Sequence, residues 1–189
     1  WSNQNLKKKD YNNLHSFFWL FSLDLKSSKK DTQNIILQWL EKNNRYNSKS
    51  WEIDIISKRI IALISNSQLT YEDGDEFFKE KFNNIIKKQV NHLISEIDKS
   101  EWVDDKMIGC AAIILAGLSY KDKDGYLNSG LNLLKKIIKY SFDNNGFPKS
   151  RNIRQLNLYL KYFVLIREWL KESQNEIPEY IDENIYYLG

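Results

Sequence analysis

Apolar side chains recur at helical spacing from one end of the chain to the other. About eight segments fit the i, i+3, i+4, i+7 pattern that is typical of amphipathic helices. The 189 residues include only two prolines and seven glycines. A β-rich fold or an extended linker would need many more of these residues in its turns. The sequence therefore predicts an all-α fold.

The length predicts one stable domain over residues 1–189. A chain of this size buries on the order of 70% of its extended surface, so its core needs neither disulfides nor a structural metal. The single cysteine, Cys110, lies in an apolar segment, where a thiol behaves as a small hydrophobe with a raised pKa. The longest apolar stretch, Met107 to Leu118, is shorter than the roughly 20 residues of a membrane span. We therefore expect a buried helix there and no membrane span.

The periodicity and the helix-boundary signals place the helices in the chain. Asp31 is a candidate N-cap of the second helix, and Pro178 fits the first turn of the last one. The short connections predict antiparallel hairpins, which can close as a bundle, a superhelix or a toroid. Because the hairpins differ in length and no fixed repeat emerges, a toroid or an irregular bundle is favoured. The ranges are about 11–25, 31–41, 50–64, 75–97, 103–119, 126–142 and 152–171, and a short helix after Pro178.

The common metal-binding and catalytic motifs are absent from the sequence. Neither His15 nor His92 has a second histidine or a cysteine at metal-ligand spacing. The turn Asp122 to Gly125 resembles part of a calcium loop. However, that register puts Tyr120 and Leu131 where carboxylates must bind the ion. The sequence has no glycine-rich phosphate loop, no serine nucleophile elbow and no aspartate-rich motif of isoprenoid enzymes. We expect no metal and no cofactor.

The charge balance argues against nucleic acid as a partner. The 28 basic residues exceed the 25 acidic ones by only three, and only five of the basic residues are arginines. Proteins that recognise phosphates and base edges favour the bidentate arginine side chain.

Two segments allow a functional interpretation beside a structural one. The first is Asn13 to Trp19, where His15 lies in an otherwise apolar helix and is either a hydrogen-bonded core residue or a polar group facing a cleft. The second is Asp143 to Asn152, a polar loop between two apolar helices. Its cations and amides suit sugar carboxylates and hydroxyls, but the loop could equally be a connector.

These segments resemble the N-terminal helical domain of the heparinase II/III-like polysaccharide lyase superfamily. Asn13-Leu14-His15-Ser16-Phe17 is similar to an aromatic-rich segment near the start of that domain, and Trp51 and Arg59 are similar to a spaced Trp–Arg pair. Leu115-Ala116-Gly117-Leu118 matches the end of a helix in the family. The loop from Asp143 to Arg151 follows the family's late loop in frame.

The resemblance implies an incomplete α/α toroid that precedes an antiparallel β domain, and β-elimination on a uronate-containing polysaccharide. That reaction removes the proton at C5 and neutralises the carboxylate. It also implies a periplasmic or extracellular location. The catalytic candidates are then His15, Arg59, Lys149 and Arg151. The substrate-binding candidates are Asn13, Trp51, which could stack on a sugar ring, Asn144, Asn145 and Asn152.

The sequence departs from the family pattern at the positions that would move protons. Asp104-Asp105 stands where the active lyases carry an Asn-His pair, Gly146 replaces the loop histidine, and Ile153 lies near the expected tyrosine. No acid–base pair is therefore evident, and Arg59 could instead brace the core by pairing with an acid. The alternative is a non-catalytic helical module that binds a glycan or a protein partner.

Overall fold

The structure, a computed structural model, describes residues 6–24, 28–120 and 125–189. Within these ranges the regular structure is helical, with no strand and one isolated bridge between Phe142 and Pro148. The predicted all-α class is therefore confirmed for the described part of the chain. The helices are α1 (Lys8–Ser16), α2 (Lys29–Asn43), α3 (Ile53–Ser65), α4 (Ser67–Thr70), α5 (Glu76–Glu96), α6 (Val103–Ser119), α7 (Tyr126–Ser141), α8 (Ile153–Glu172) and α9 (Glu179–Leu188).

The chain divides into two compact units, residues 1–95 and 96–189. In the first unit α1 packs on α3, and α2 packs on α4. In the second unit α6 packs on α7 and α8, and α8 packs on α9. The single domain over residues 1–189 stays a prediction.

The helices of the second unit follow the predicted boundaries closely. The helix expected at 103–119 is α6, and α7 and α8 end within one residue of expectation. The last helix, α9, begins directly after Pro178, as the fixed φ of proline favours. Of the turn expected at Asp122 to Gly125, the first three residues lie outside the described ranges, and Gly125 adopts a φ of 70° just before α7.

The first helix is shorter than its apolar periodicity predicts. α1 ends at Ser16, Phe17 adopts a left-handed φ of 55°, and a 3-10 turn follows over Phe18–Ser22. The Ser16 hydroxyl donates to the Asn13 carbonyl at 3.1 Å and accepts from the Phe18 amide at 3.4 Å. Such local bonds compete with continuation of a helix. Leu25, the expected end of this helix, lies outside the described ranges.

The start of the second helix differs from the prediction as well. Ser28, not Asp31, is the N-cap of α2, and its hydroxyl accepts a hydrogen bond from the Asp31 amide at 3.2 Å. Asp31 thus occupies the first turn, where its carboxylate interacts favourably with the helix dipole. In the same unit, α3 begins at Ile53 rather than Ser50, and the short α4 was not predicted.

Small residues allow α6 and α7 to approach closely. A Cβ atom added to Gly117 would lie 2.4 Å from the Leu127 backbone nitrogen. A Cβ atom added to Gly130 would lie 2.5 Å from Cγ1 of Ile114. Every residue of α6 from 107 to 117 is buried. Across the described ranges, no helix has both the length and the apolar character that a membrane crossing requires.

Candidate functional site

Arg59 lies at the centre of the first unit and is completely buried. Its guanidinium donates hydrogen bonds from Nη1 to the His15 carbonyl at 2.7 Å, from Nη2 to the Ser50 carbonyl at 3.0 Å, and from Nε to Oε1 of Gln89 at 3.0 Å. One side chain of α3 thereby joins α1, the turn before α3, and α5. The planar guanidinium also lies 4.4 Å from the centre of the Trp39 ring, a cation–π contact.

No carboxylate in the described ranges forms an ion pair with Arg59, so the predicted brace with an acid is not seen there. Burial lowers the pKa of the guanidinium to about 9, and the nearby Tyr11 phenol opposes this shift. The side chain therefore remains a cation at neutral pH. Its hydrogen-bond acceptors among the described residues are all uncharged oxygens. This arrangement suits a side chain that braces the core and not one that binds a sugar carboxylate.

His15 is 1% exposed and its ring is held on two sides. Its Nδ1 accepts a hydrogen bond from Nε1 of Trp39 at 3.0 Å, and its ring stacks on Tyr11 with 4.0 Å between centroids. Because Nδ1 acts as the acceptor, the neutral ring carries its proton on Nε2. The interpretation of His15 as a hydrogen-bonded core histidine therefore has direct geometric support.

Trp51 and Asn13 occupy contrasting positions in the same unit. Trp51, expected to stack on a sugar, is only 4% exposed, and its ring packs edge-on against His92 at 5.2 Å and against Tyr46 at 5.9 Å. Asn13 lies on the exposed surface of α1. Of the candidates in the first unit, the structure brings His15 and Arg59 into contact, whereas Asn13 points away from the buried cluster that they form.

The loop from Asp143 to Asn152, in the second unit, is organised by the Asp143 carboxylate. Oδ1 accepts from the backbone amides of Phe147 at 3.0 Å and Asn145 at 2.9 Å, and Oδ2 accepts from Nη2 of Arg151 at 2.6 Å. These bonds, the Phe147 amide first, lower the pKa of the Asp143 carboxyl. Arg151 adopts a φ of 52°, a left-handed conformation that non-glycine residues adopt at a cost. The loop is therefore built to a defined shape.

Lys149 and Asn152 have structural partners at the two ends of this loop. The Lys149 ammonium donates to the Tyr140 carbonyl at 3.1 Å, in the last turn of α7, where a cation is favourable. Asn152 is the N-cap of α8 and accepts from the Arg154 amide at 2.9 Å.

The outer face of the loop remains exposed. Asn144 and Asn145 are exposed, and within the described ranges their side-chain amides make no hydrogen bond. The Phe147 ring is 42% exposed, and the Arg151 guanidinium lies 5.8 Å from its centre. A pocket of about 160 Å³ lies beside these groups, lined by Phe147, Pro148, Arg151, Asn152, Ile153 and Leu156.

Asp104, in the first turn of α6, accepts a hydrogen bond from Nε2 of Gln155 at 2.6 Å. Gln155 in turn accepts from the Ser150 hydroxyl at 2.5 Å. Asp104 therefore helps to anchor the loop to α6 through α8. Burial raises the pKa of Tyr159, a residue of α8, to about 12, so that this phenol remains protonated at neutral pH.

Sequence reasoning missed Gln89 and Trp39 as the side chains that fix Arg59 and His15. Gln89 lies on the buried face of α5 between Ile86 and Leu93. A polar residue at a core position of a periodic helix was the available signal, because a buried amide needs a partner. The organising role of Asp143 left a weaker signal, a turn-forming residue at the start of the loop.

Among the described residues, no group of three His, Cys, Asp or Glu side chains could hold a metal ion. The Cys110 thiol is buried beside the Gly130 carbonyl, and burial raises its pKa, which suits a structural thiol. In comparisons with known proteins, no family model matches the chain, and neither a curated protein nor a solved structure is significantly similar to it.

Proposed function

We propose that this chain is a helical module of a heparinase II/III-like protein and that it binds an acidic, uronate-containing polysaccharide through the loop from Asp143 to Asn152. In this proposal the helical hairpins form part of an incomplete α/α toroid. The supporting observation is the loop itself. Internal hydrogen bonds fix its shape, and its outer face presents two uncommitted amides, a partly exposed aromatic ring and the Arg151 guanidinium.

The chemistry of these groups fits an acidic sugar. Amides can bond to sugar hydroxyls, and a guanidinium bonds strongly to a carboxylate. The Arg151 side chain is 65% exposed although it pairs with Asp143, so its remaining N–H groups can reach a ligand. A preformed loop also loses little conformational freedom on binding, which favours affinity.

We propose binding without catalysis by this chain alone. β-elimination requires a group that accepts the C5 proton within hydrogen-bond reach of the sugar. The loop carries no histidine or tyrosine. Lys149 is bonded to carbonyl oxygens, and His15 is buried in the other unit with its Nδ1 engaged by Trp39. If the whole protein is a lyase, its acid and base are residues other than Lys149 and His15.

The test is calorimetric titration of the intact chain with acidic hexasaccharides, with a neutral hexasaccharide as the ligand control. We expect saturable binding of at least one acidic ligand. Each amide hydrogen bond contributes about 0.5–1.5 kcal/mol, so Asn144→Ala combined with Asn145→Ala weakens binding roughly tenfold. Asn157→Ala, which removes an exposed amide from the second turn of α8, is the matched control and leaves binding unchanged.

Two results would overturn this proposal. One is unchanged affinity in the double variant, and the other is the absence of binding by the folded chain to every acidic ligand. Ultraviolet absorbance of the same mixtures tests the non-catalytic part, because β-elimination creates unsaturated sugar ends that absorb. A steady rise in absorbance with the chain alone would show that it carries a base of its own.

A further inference from the structure

Among the residues that the structure describes, no carboxylate pairs with the buried Arg59. Charged side chains that are fully removed from water are normally paired, because an unpaired buried charge costs several kcal/mol. The described acceptors of the guanidinium are two backbone carbonyls and one amide oxygen. The stretches of the first unit outside the described ranges, residues 1–5 and 25–27, contain no aspartate or glutamate. The first unit therefore supplies a buried cation without a counter-charge.

Hydrogen-bond donors outnumber acceptors around this cation. A guanidinium carries five N–H groups, and three of those of Arg59 have acceptors among the described residues. Nε2 of Gln89 and Oγ of Ser50 are also buried and have no partner there. Both residues already touch the guanidinium through other atoms, since Gln89 uses Oε1 and Ser50 its carbonyl oxygen. The unpartnered donors therefore flank the same charged group.

An acceptor of the right kind would resolve this excess of donors. A water molecule accepts hydrogen bonds but brings two further donors that would need acceptors of their own. A small anion brings acceptor capacity alone, and it also neutralises the charge. We propose that the first unit binds one small monovalent anion, chloride in the simplest case, beside the Arg59 guanidinium, with Nε2 of Gln89 and Oγ of Ser50 as further donors.

The burial of the site defines the class of ligand. Arg59, Ser50 and Gln89 are each 0% exposed, so a polysaccharide cannot reach them in the folded unit. A monatomic ion can enter through brief local opening of the structure. The anion is therefore a structural component of the first unit, and the proposal is independent of glycan binding at the loop in the second unit.

The first test is the dependence of folding on chloride at constant ionic strength. Sodium chloride is exchanged for sodium gluconate, whose anion is too large for a closed core site, and urea unfolding is followed at each mixture. A ligand that binds only the folded state stabilises by RT ln(1 + [L]/Kd). Once chloride exceeds its Kd, the unfolding constant falls about tenfold for each tenfold rise in chloride. Equal stability in chloride and gluconate would overturn the proposal in favour of bound water.

Variants locate the site. Gln89→Glu places a carboxylate next to the guanidinium and supplies the missing charge from the chain itself, so the chloride dependence disappears. Gln38→Glu makes the same substitution at an exposed position of α2 and keeps the full chloride dependence. Chloride dependence that persists in Gln89→Glu would show that the ion binds elsewhere and would overturn the assignment.

A direct measurement keeps the proposal testable even if the Gln89 variant folds poorly. The ³⁵Cl nuclear magnetic resonance line of free chloride broadens when the ion exchanges with a protein site. We expect the wild-type chain to broaden the line and excess bromide to reverse the effect by competition. Absence of bromide-sensitive broadening at chloride concentrations that should saturate the site would also overturn the proposal.

Discussion

Replacing Arg59 by lysine tests whether this side chain braces the core. Lysine keeps the positive charge and much of the length, but its compact ammonium cannot reproduce the planar fork that reaches three separate segments. An ammonium in the same space can satisfy one of the three acceptors, which leaves two of the oxygens on His15, Ser50 and Gln89 without a donor. Each unsatisfied buried acceptor costs about 1–3 kcal/mol. The expected loss of unfolding free energy is therefore about 2–6 kcal/mol.

Such a loss is large compared with the whole stability of a domain, which is about 5–15 kcal/mol. The assay is urea unfolding at fixed chloride, followed by tryptophan fluorescence, to which Trp39 and Trp51, buried in the same unit, contribute. Amide hydrogen exchange of residues 1–95 then shows which unit has been destabilised. Arg45→Lys is the matched control, because Arg45 is exposed and makes no ion pair within the described ranges. Its expected effect is within about 0.5 kcal/mol.

The result that would refute this reasoning is a loss of less than about 1 kcal/mol for Arg59→Lys, because the hydrogen bonds would then contribute little net stability. A catalytic Arg59 would give a different pattern: a loss of polysaccharide cleavage by the protein with little change in stability. The two interpretations are therefore separated by measuring stability and activity on the same variant.

Two further predictions concern the second unit. Gly117→Ala would bring a Cβ atom to 2.4 Å from the Leu127 backbone nitrogen. We expect the free energy of unfolding, measured by thermal unfolding, to fall by about 1–3 kcal/mol. Ser119→Ala at the exposed end of α6 is the control and should have little effect. The pKa of the Asp143 carboxyl is lowered in the folded state. The ionised carboxylate therefore stabilises the fold above the ordinary carboxyl pKa, and this stabilisation is lost as the pH falls through the pKa of the folded state. Asp143→Asn should therefore reduce the free energy of unfolding at neutral pH and make it less dependent on pH in the acid range. If the stability of the variant falls with decreasing pH as steeply as that of the wild type, the acid dependence arises from other carboxyls.

Apart from the short α4, the helices were predictable because each has an apolar stripe of the correct period. α6 was predicted in full, since its apolar and small residues run without a break from Met107 to Leu118. The end of α1 was not predictable in the same way. The residues after Phe17 continue the apolar pattern, and the left-handed turn there depends on local bonds of Ser16 that periodicity does not register.

The candidate site was predicted as a set of residue types but not as an arrangement. His15 was singled out as a polar residue in an apolar helix and Arg59 through the family resemblance, and the structure brings the two residues into contact. The sequence could not show that Arg59 donates to the backbone carbonyl of His15 rather than to a ligand. Every residue has a backbone carbonyl, so the residue type does not indicate which carbonyl acts as an acceptor. For the loop, the exposed Asn144 and Asn145 were recognisable, whereas the pairing of Arg151 with Asp143 depends on the folded backbone.

The burial of α6 from residue 107 to residue 117 has a consequence for handling the protein. When the second unit unfolds, Met107 to Leu118 becomes an exposed stretch of twelve residues without a charge, and it includes the β-branched pair Ile113 and Ile114. Segments of this kind associate with copies of themselves. Charged residues flank the stretch at 104–106 and at 121–124, but none interrupts it. Heating beyond the transition of this unit is therefore expected to end in aggregates, and the apparent melting temperature will depend on scan rate.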